Sequence, residues 1–521
     1  MSTVVNVRRR WLWLVIGTVV ALFAVGGRWD IAPAAWLFPV FLLRFARTSR
    51  PLGGLVLVWL ASWAGAMFWI WQMAVPMNGT TVLAGLTFGT VLALPYVADR
   101  LLARRLGTAG ALLLFPMALV VSEFLLGTFA PFGTVIGLLA NTQFDHLPLL
   151  QVAAVTGSYG VGFLIGGCAT VVNWAWEHPP SWRTARVVGA YIALLAVVVV
   201  GGAARTAWFP VDTTRTVRIA GLNADMALIH QQMTALGRPD VKVSAGQGAL
   251  PRFDPDTVKP ESTAVIDDLF ARTRRAAQAG AKIVIWSENA AYVSHAGLPA
   301  LLSQARSVAR QEHIYLLVAD NVHLPNPEDS RDETHLIGPD GTVLWTYQKS
   351  HPVPGMEPYR PGNGVAPVVS TPYGRLAGVI CYDADFPAMM RADADIMLVP
   401  GGDWPEIGRV HTEMASLRAI ENGYSLVRQD YVGWSAAFDN QGHVLSTQNT
   451  LVDQDLWLVD VPVRGVTTPY RVIGDAFAWL CLAGTVVLLG FGVFRRRPPA
   501  AGTPRPTTQR EPEPMARQVA R

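Results

Sequence analysis

Eight apolar runs, most of them near the length a helix needs to cross a bilayer, constrain this chain more than any other feature. A helix rises 1.5 Å per residue, so about 20 residues span the roughly 30 Å of hydrocarbon. The runs lie at about 11–27, 31–46, 52–75, 80–98, 109–128, 150–174 and 187–204, with the last at 476–494. The second is short and carries Pro33 and Pro39. Composition agrees: over 521 residues, 51% hydrophobic against 15% charged is too apolar for an ordinary water-soluble protein. A multi-pass helical membrane bundle is therefore expected over about residues 1–210, with one further span near the C-terminus.

Lysine and arginine close to span ends favour the cytoplasmic side, which orients the bundle. Arg8, Arg9 and Arg10 put the N-terminus inside. Counting seven spans then brings Arg44, Arg47 and Arg50, next Arg100, Arg104 and Arg105, and next Arg183 and Arg186 to cytoplasmic loops, while the opposite loops hold only Arg28. Arg495, Arg496 and Arg497 flank the last run, so both termini are expected inside and the segment between the seventh and eighth runs outside. No cleaved leader is expected, because further spans follow the first run and no clear small-residue cleavage site follows Gly27. The net charge of +4, spread over short clusters, gives no sign of nucleic-acid binding.

Residues 215–465 differ in character. Short β-branched or apolar runs recur there, at Val217 to Leu222, Lys282 to Trp286, Ile314 to Ala319, Thr342 to Tyr347, Leu376 to Ile380, Ile396 to Val399 and Leu426 to Val427. Helical patterns at Thr263 to Ala279, Leu298 to Glu312 and Val410 to Asn422 separate several of them, as in a layered α/β domain. The tail after 497, rich in Pro, Arg and Thr, has too little apolar content to fold and is expected to be disordered.

Of three cysteines, Cys168 and Cys481 sit in apolar runs and only Cys381 lies in the α/β segment, so no disulfide framework is possible. A free cysteine is often only a small core residue. Cys381, however, ends the strand pattern Leu376 to Ile380 and precedes Tyr382-Asp383-Ala384-Asp385, where an α/β sheet usually presents site residues. Glu288 follows the strand ending at Trp286, and Lys349 follows the strand ending at Tyr347. Taken singly, Glu288 reads as a helix cap and Lys349 as a solvated lysine. Three such residues at three strand ends read differently: a thiol needs a base to become nucleophilic, and a buried oxyanion needs a cation.

The motifs Trp286-Ser287-Glu288, Tyr347-Gln348-Lys349 and Ile380-Cys381-Tyr382 resemble those of the nitrilase superfamily, whose Glu, Lys and Cys occur in this chain order. Within it, the pairing of a preceding bundle with a final span resembles the apolipoprotein N-acyltransferases. So do Lys349 to Pro354 with Glu357, Asp403-Trp404, Met414-Ala415 with Arg418 to Glu421, Thr468-Pro469-Tyr470 with Gly474-Asp475, Pro131-Phe132-Gly133, and Gly157-Ser158-Tyr159-Gly160. The chain departs from that branch at Asp383, where Glu is usual, at Gly355 to Tyr359, and at Gly401 to Trp404, which leaves the acceptor open. The resemblance implies an αββα sandwich joined to the bundle. It also implies transfer of an acyl chain from a phospholipid to a thioester on Cys381, and from there to the amine of a lipoprotein acceptor.

In that chemistry Glu288 would act as base and Lys349 would hold the oxyanion. Glu357, Tyr382 and Asp383 would support them, and Met356, Trp404 and Trp434 are candidate lipid contacts. His351 and His411 are read as structural hydrogen-bonders. No zinc-ligand cluster, phosphate loop or dinucleotide fingerprint is visible, and neither metal nor cofactor is expected. Two other readings use the same sequence: a membrane-tethered amidase, in which water resolves the thioester, and a transporter or scaffold whose outer domain has lost catalysis.

Overall fold

The computed structural model describes residues 7–130, 137–238, 253–453 and 455–494. The Pro131-Phe132-Gly133 motif and the tail after 497 lie outside them. All eight apolar runs fold as helices, but they are not eight equal spans. The first two form a packed pair, α1 (Val7–Ala21) and α2 (Ala32–Thr48), only 15 and 17 residues long. Helices α3 (Pro51–Gln72), α4 (Gly79–Leu102) and α5 (Thr108–Phe129) follow. The sixth run breaks into two single turns, α6 (Leu147–Leu150) and α7 (Ala153–Thr156), and a long helix, α8 (Tyr159–Glu177). The seventh is α9 (Trp182–Trp208). Among the described residues, five helices are long and apolar enough to cross a membrane, or six if the segment bent by 114° between α7 and α8 counts as one.

That bend has a local and a distant cause. Gly157 takes φ +66°, where an added Cβ would come within 2.7 Å of the Tyr470 ring. The backbone N–H and hydroxyl of Ser158 both donate to Glu421, at 2.7 and 2.6 Å. Glu421 belongs to the α/β domain and is itself paired with Arg418 at 2.9 Å. The broken helix is thus a socket into which the α/β domain is fastened, all three polar groups being buried together.

The α/β domain comprises β1 (Thr216–Leu222), α10 (Met226–Ala235), α11 (Lys259–Gln278), β2 (Ile283–Trp286), β3 (Ala291–Ser294), α12 (Leu298–Glu312), β4 (Tyr315–His323), β5 (Arg331–Ile337) and β6 (Val343–Gln348) in its first half. The second half holds β7 (Val368–Thr371), β8 (Gly374–Gly378), β9 (Ile396–Gly401), α13 (Gly408–Asn422), β10 (Ser425–Asp430), β11 (Trp434–Phe438), β12 (Val444–Asn449) and β13 (Trp457–Pro462). The chain then enters α14 (Pro469–Ile473) and the apolar α15 (Ala476–Phe494), which packs on α5.

One sheet runs β13-β1-β2-β4-β5-β6 with β3 beside β4, and the other runs β12-β11-β10-β9-β8-β7. Alternation along each strand feeds two cores. Ile219, Ile283, Ile285 and Leu317 face Leu376, Val379 and Leu398 between the sheets. Their neighbours Ala220, Val284, Trp286 and Leu316 meet Val265, Leu269, Phe270 and Val308 of α11 and α12. Burial on both faces is why the central strands read as unbroken apolar runs. The result is a membrane helical bundle carrying an αββα sandwich.

Candidate active site

Three strand ends converge where the two sheets meet. Glu288 lies just beyond β2, its N–H donating to the carbonyl of Gly401 at the end of β9 in the other sheet. Lys349 follows β6 and is pinned on both sides, its N–H donating to the Asp332 carbonyl and its own carbonyl accepting from Gly362. The Lys349 ammonium is fully buried and touches Glu288 at 2.6 Å, Glu357 at 2.8 Å and Asp332 at 3.7 Å. Burial opposes that charge, but the surrounding carboxylates hold it well above the usual lysine range. Burial, and then the nearby Glu288, push the carboxyl of Asp332 well above its ordinary value, with Lys349 working against them. Burial and Glu288 likewise raise Glu357, with Lys349 working against them.

Cys381 opens a tight turn, Cys381–Asp385, directly after β8. It holds φ +45°, a left-handed conformation that costs a non-glycine residue about 1 kcal/mol or more. Burial and the proximity of Glu288 raise its thiol well above the usual value, against the pull of Lys349 and Arg428. The thiol is therefore neutral at rest.

Asp383 holds this turn to the loop bearing Lys349. Its fully buried carboxylate accepts from the Tyr347 hydroxyl at 2.7 Å, the His351 N–H at 2.8 Å, and the Ser350 and Ile380 N–H groups at 3.3 and 3.4 Å, with His351 Nδ1 at 2.8 Å. The carboxylate is fully buried among these partners, so a glutamate one methylene longer would have to displace them. Asp383→Glu is expected to cost about 1–3 kcal/mol, read as a lower melting temperature of the purified protein.

Glu357 accepts from the Val353 N–H at 2.8 Å, which fixes it against Lys349 despite the altered run around it. Met356, Tyr382 and Trp404 line a cavity of about 340 Å³ that also reaches Cys381. Trp404 further donates from its indole to the Met73 carbonyl at 2.6 Å, tying the α/β domain to the end of α3. Trp434 is not among the cavity-lining residues: it begins β11 under the Arg409 guanidinium, 5.5 Å from its ring centroid. His351 stacks on Phe386 with ring centroids 3.6 Å apart, and His411 bonds two carboxylates.

Sequence reading passed over Asp332 and Arg428. Asp332 sits in β5, whose polar string Arg331-Asp332-Glu333-Thr334-His335 hides a strand. Arg428 directly follows the recognised pair Leu426-Val427, and its charge inside a buried strand was the available signal. Among the described residues, three groups of side chains have ligating atoms close enough for a cation: Cys381, Asp403 and His411; Glu288, Asp332 and Glu357; and Asp320, Glu333 and His335. Each already has a basic side chain of the protein in contact, Arg428, Lys349 and Arg331 respectively.

Residues 17–171 match the family described as apolipoprotein N-acyltransferase N-terminal domain, and residues 264–468 match carbon-nitrogen hydrolase. An apolipoprotein N-acyltransferase of Geobacter metallireducens is 27% identical over 90% of this chain and 92% of its own length. One from Azotobacter vinelandii is 25% identical over 52% of this chain and 57% of its own. A deaminated glutathione amidase of Dictyostelium discoideum is 28% identical over 35% of this chain and 71% of its own. Fold and sequence together define a membrane-bound enzyme of the nitrilase, or carbon-nitrogen hydrolase, superfamily. Within it, the two matched regions and the Geobacter relative support an apolipoprotein N-acyltransferase, an acyltransferase of the bacterial inner membrane.

Proposed function

We propose that this protein moves an acyl chain from a membrane phospholipid to a thioester on Cys381, and from there to the N-terminal amine of a diacylglyceryl-cysteine lipoprotein. One observation carries the reading: the cavity at Cys381 continues between the membrane helices, past Trp69 and Ile70 of α3, Gly85 and Phe88 of α4, and Leu42 of α2. Withdrawing an acyl chain from lipid into water costs about 0.8 kcal/mol per CH₂, so a donor of this kind needs an apolar route to the sulfur. The bundle supplies one, and a soluble amide substrate has no use for it.

In the first half-reaction Glu288 takes the thiol proton as sulfur attacks the ester carbonyl, and Lys349 stabilises the oxyanion. The lysophospholipid leaves with the proton from Glu288. In the second, Glu288 takes a proton from the incoming amine, the C–N bond forms and the C–S bond breaks. Glu357 keeps the Lys349 ammonium aligned, and Asp383 holds the Cys381 turn. The pattern of arginines at helix ends supports a domain facing the periplasm with both termini cytoplasmic.

The test is incubation of purified protein with phospholipid and a diacylglyceryl peptide. The expected products are an acyl adduct on Cys381 that hydroxylamine removes, and then N-acylated peptide; free fatty acid alone would mark the hydrolase instead.

Gly65 provides a finer probe. It lines the cavity from α3, and an added Cβ meets only Val25, at an ordinary 3.6 Å. Gly65→Leu therefore projects into the lipid route without a backbone clash. Transfer is expected to fall about tenfold with long-chain donors and less with short ones, while Cys381 still reacts with iodoacetamide.

A further inference from the structure

Outside the group around Lys349, the sulfur of Cys381 has two close polar neighbours. Arg428 Nη2 lies 3.7 Å from it and Asp403 Oδ1 lies 3.9 Å away. Arg428 is fully buried in the middle of β10, opposite Val399 of β9. Its Nη2 donates to Asp403 Oδ2 at 2.9 Å and lies 3.5 Å from Asp430, and its Nη1 donates to the Cys381 carbonyl at 3.4 Å. Asp403 Oδ1 is 2.7 Å from His411 Nδ1, and the opposite ring nitrogen is 2.9 Å from Asp385 Oδ1.

Asp385 ends the same short turn that Cys381 begins. The contacts therefore close a ring, from the sulfur through Arg428, Asp403, His411 and Asp385 back to the turn bearing the sulfur. The ring draws on the strand β10, the loop after β9, the helix α13 and that turn. None of these side chains is more than 5% exposed.

Burying this much charge is costly: an apolar set of similar volume often serves stability equally well or better. Burial acts against the His411 imidazolium, yet Asp385 and Asp403 raise its pKa to about 9, so a second cation persists beside Arg428 at neutral pH. Each His411 ring nitrogen meets one carboxylate, and Nδ1 also lies 3.0 Å from Arg428 Nη2. Asp403 is thus shared by Arg428 and His411 while its Oδ1 stays 3.9 Å from the thiol. Glu288, Lys349, Arg428 and Asp403 bear on the sulfur, and a ring nitrogen of His411 also lies within 4.8 Å of it.

We propose that Arg428 is a further catalytic residue of acyl transfer, its guanidinium stabilising the Cys381 thiolate, and that Asp403, His411 and Asp385 are positioning residues that hold it there. The proposal rests on the reading of Cys381 as acyl carrier. Arg428 then acts twice. In acylation the S–H bond breaks, the proton goes to Glu288, and negative charge grows on sulfur before the S–C bond forms. In deacylation the C–N bond forms, the C–S bond breaks, and the departing sulfur carries the charge until a proton returns from Glu288. Lys349 serves the carbonyl oxygen in both steps, which leaves the sulfur to Arg428.

The experiment measures the pH dependence of Cys381 alkylation by iodoacetamide in the full-length protein in detergent, with the adduct mapped by peptide mass. Acyl transfer from phospholipid to a diacylglyceryl peptide is followed in parallel. In Arg428→Gln the alkylation midpoint is expected to rise by about one pH unit or more, the range for losing an adjacent opposite charge, and transfer to fall about 100-fold. Arg428→Lys should recover part of both. Asp385→Asn, altered at the far end of the ring, should raise the midpoint by a smaller amount, and it carries the test if Arg428→Gln fails to fold. An unchanged midpoint in folded Arg428→Gln, or in folded Asp385→Asn where Arg428→Gln does not fold, overturns the proposal even if transfer is lost. Absence of any acyl adduct on wild-type Cys381 would instead overturn the reading beneath it.

Discussion

Cys381→Ala is expected to lower acyl transfer by about 10⁴-fold or more, because a nucleophile that carries the covalent intermediate has no substitute. The acyl adduct should vanish with it. Folding should survive, since the thiol makes only long contacts, at 3.7 and 3.9 Å. A companion variant separates chemistry from strain. At φ +45° glycine is at ease where alanine is not, so Cys381→Gly should be as inactive as Cys381→Ala but more stable by about 1 kcal/mol. The measurements are intact mass after exposure to phospholipid and melting in detergent. Normal transfer by either variant would remove the sulfur from the mechanism.

Lys349→Met should damage both activity and stability. Removing the cation leaves Glu288, Glu357 and Asp332 buried together with nothing to balance them, and breaking one side of a buried ion pair costs about 3–5 kcal/mol. Loss of the oxyanion partner should cost about 10²–10³-fold in rate.

The stability deficit has a predictable pH dependence. Glu357 and Asp332 already have raised carboxyl values, and removing Lys349 raises them further. Native protein then binds more protons than unfolded chain, so stability falls as pH rises. The deficit of Lys349→Met relative to wild type should shrink as pH is lowered from 8 toward 5. In wild type, the Lys349 contribution is complete below the ordinary lysine value of about 10.4 and is lost only above it, because its folded value lies higher. Melting curves across that range decide the matter, and a deficit that is flat with pH would mean that the three carboxyls are not held by this ammonium.

The legible and illegible parts of the chain differ in kind. Runs such as Thr108–Phe129 and strands such as Ile283–Trp286 declare themselves because burial on all sides demands apolar residues in succession, a property of neighbours in sequence. The ends of those strands pointed to Glu288, Lys349 and Cys381. The strand Arg331–Ile337 was missed for the opposite reason: it spends its side chains on buried polar work, so its composition resembles a loop. The sixth apolar run read as one continuous span, and nothing local in it foretells the turn at Gly157 and Ser158, whose partner lies 263 residues away.

Sequence alone thus determined the division between lipid-facing helices and an α/β domain, and it singled out the three side chains proposed to react, since each depends on local patterning or on a motif held within a few residues. Tertiary structure alone decided which charges surround those side chains: Asp332 beside Lys349, and the ring from Arg428 through His411 to Asp385 around the sulfur. It also decided that the cavity at Cys381 opens among the membrane helices. The physical reason is that a buried polar group is tolerable only with its partners, and these partners come from strands, turns and helices that meet only once both sheets have packed and the α/β domain has docked on the bundle.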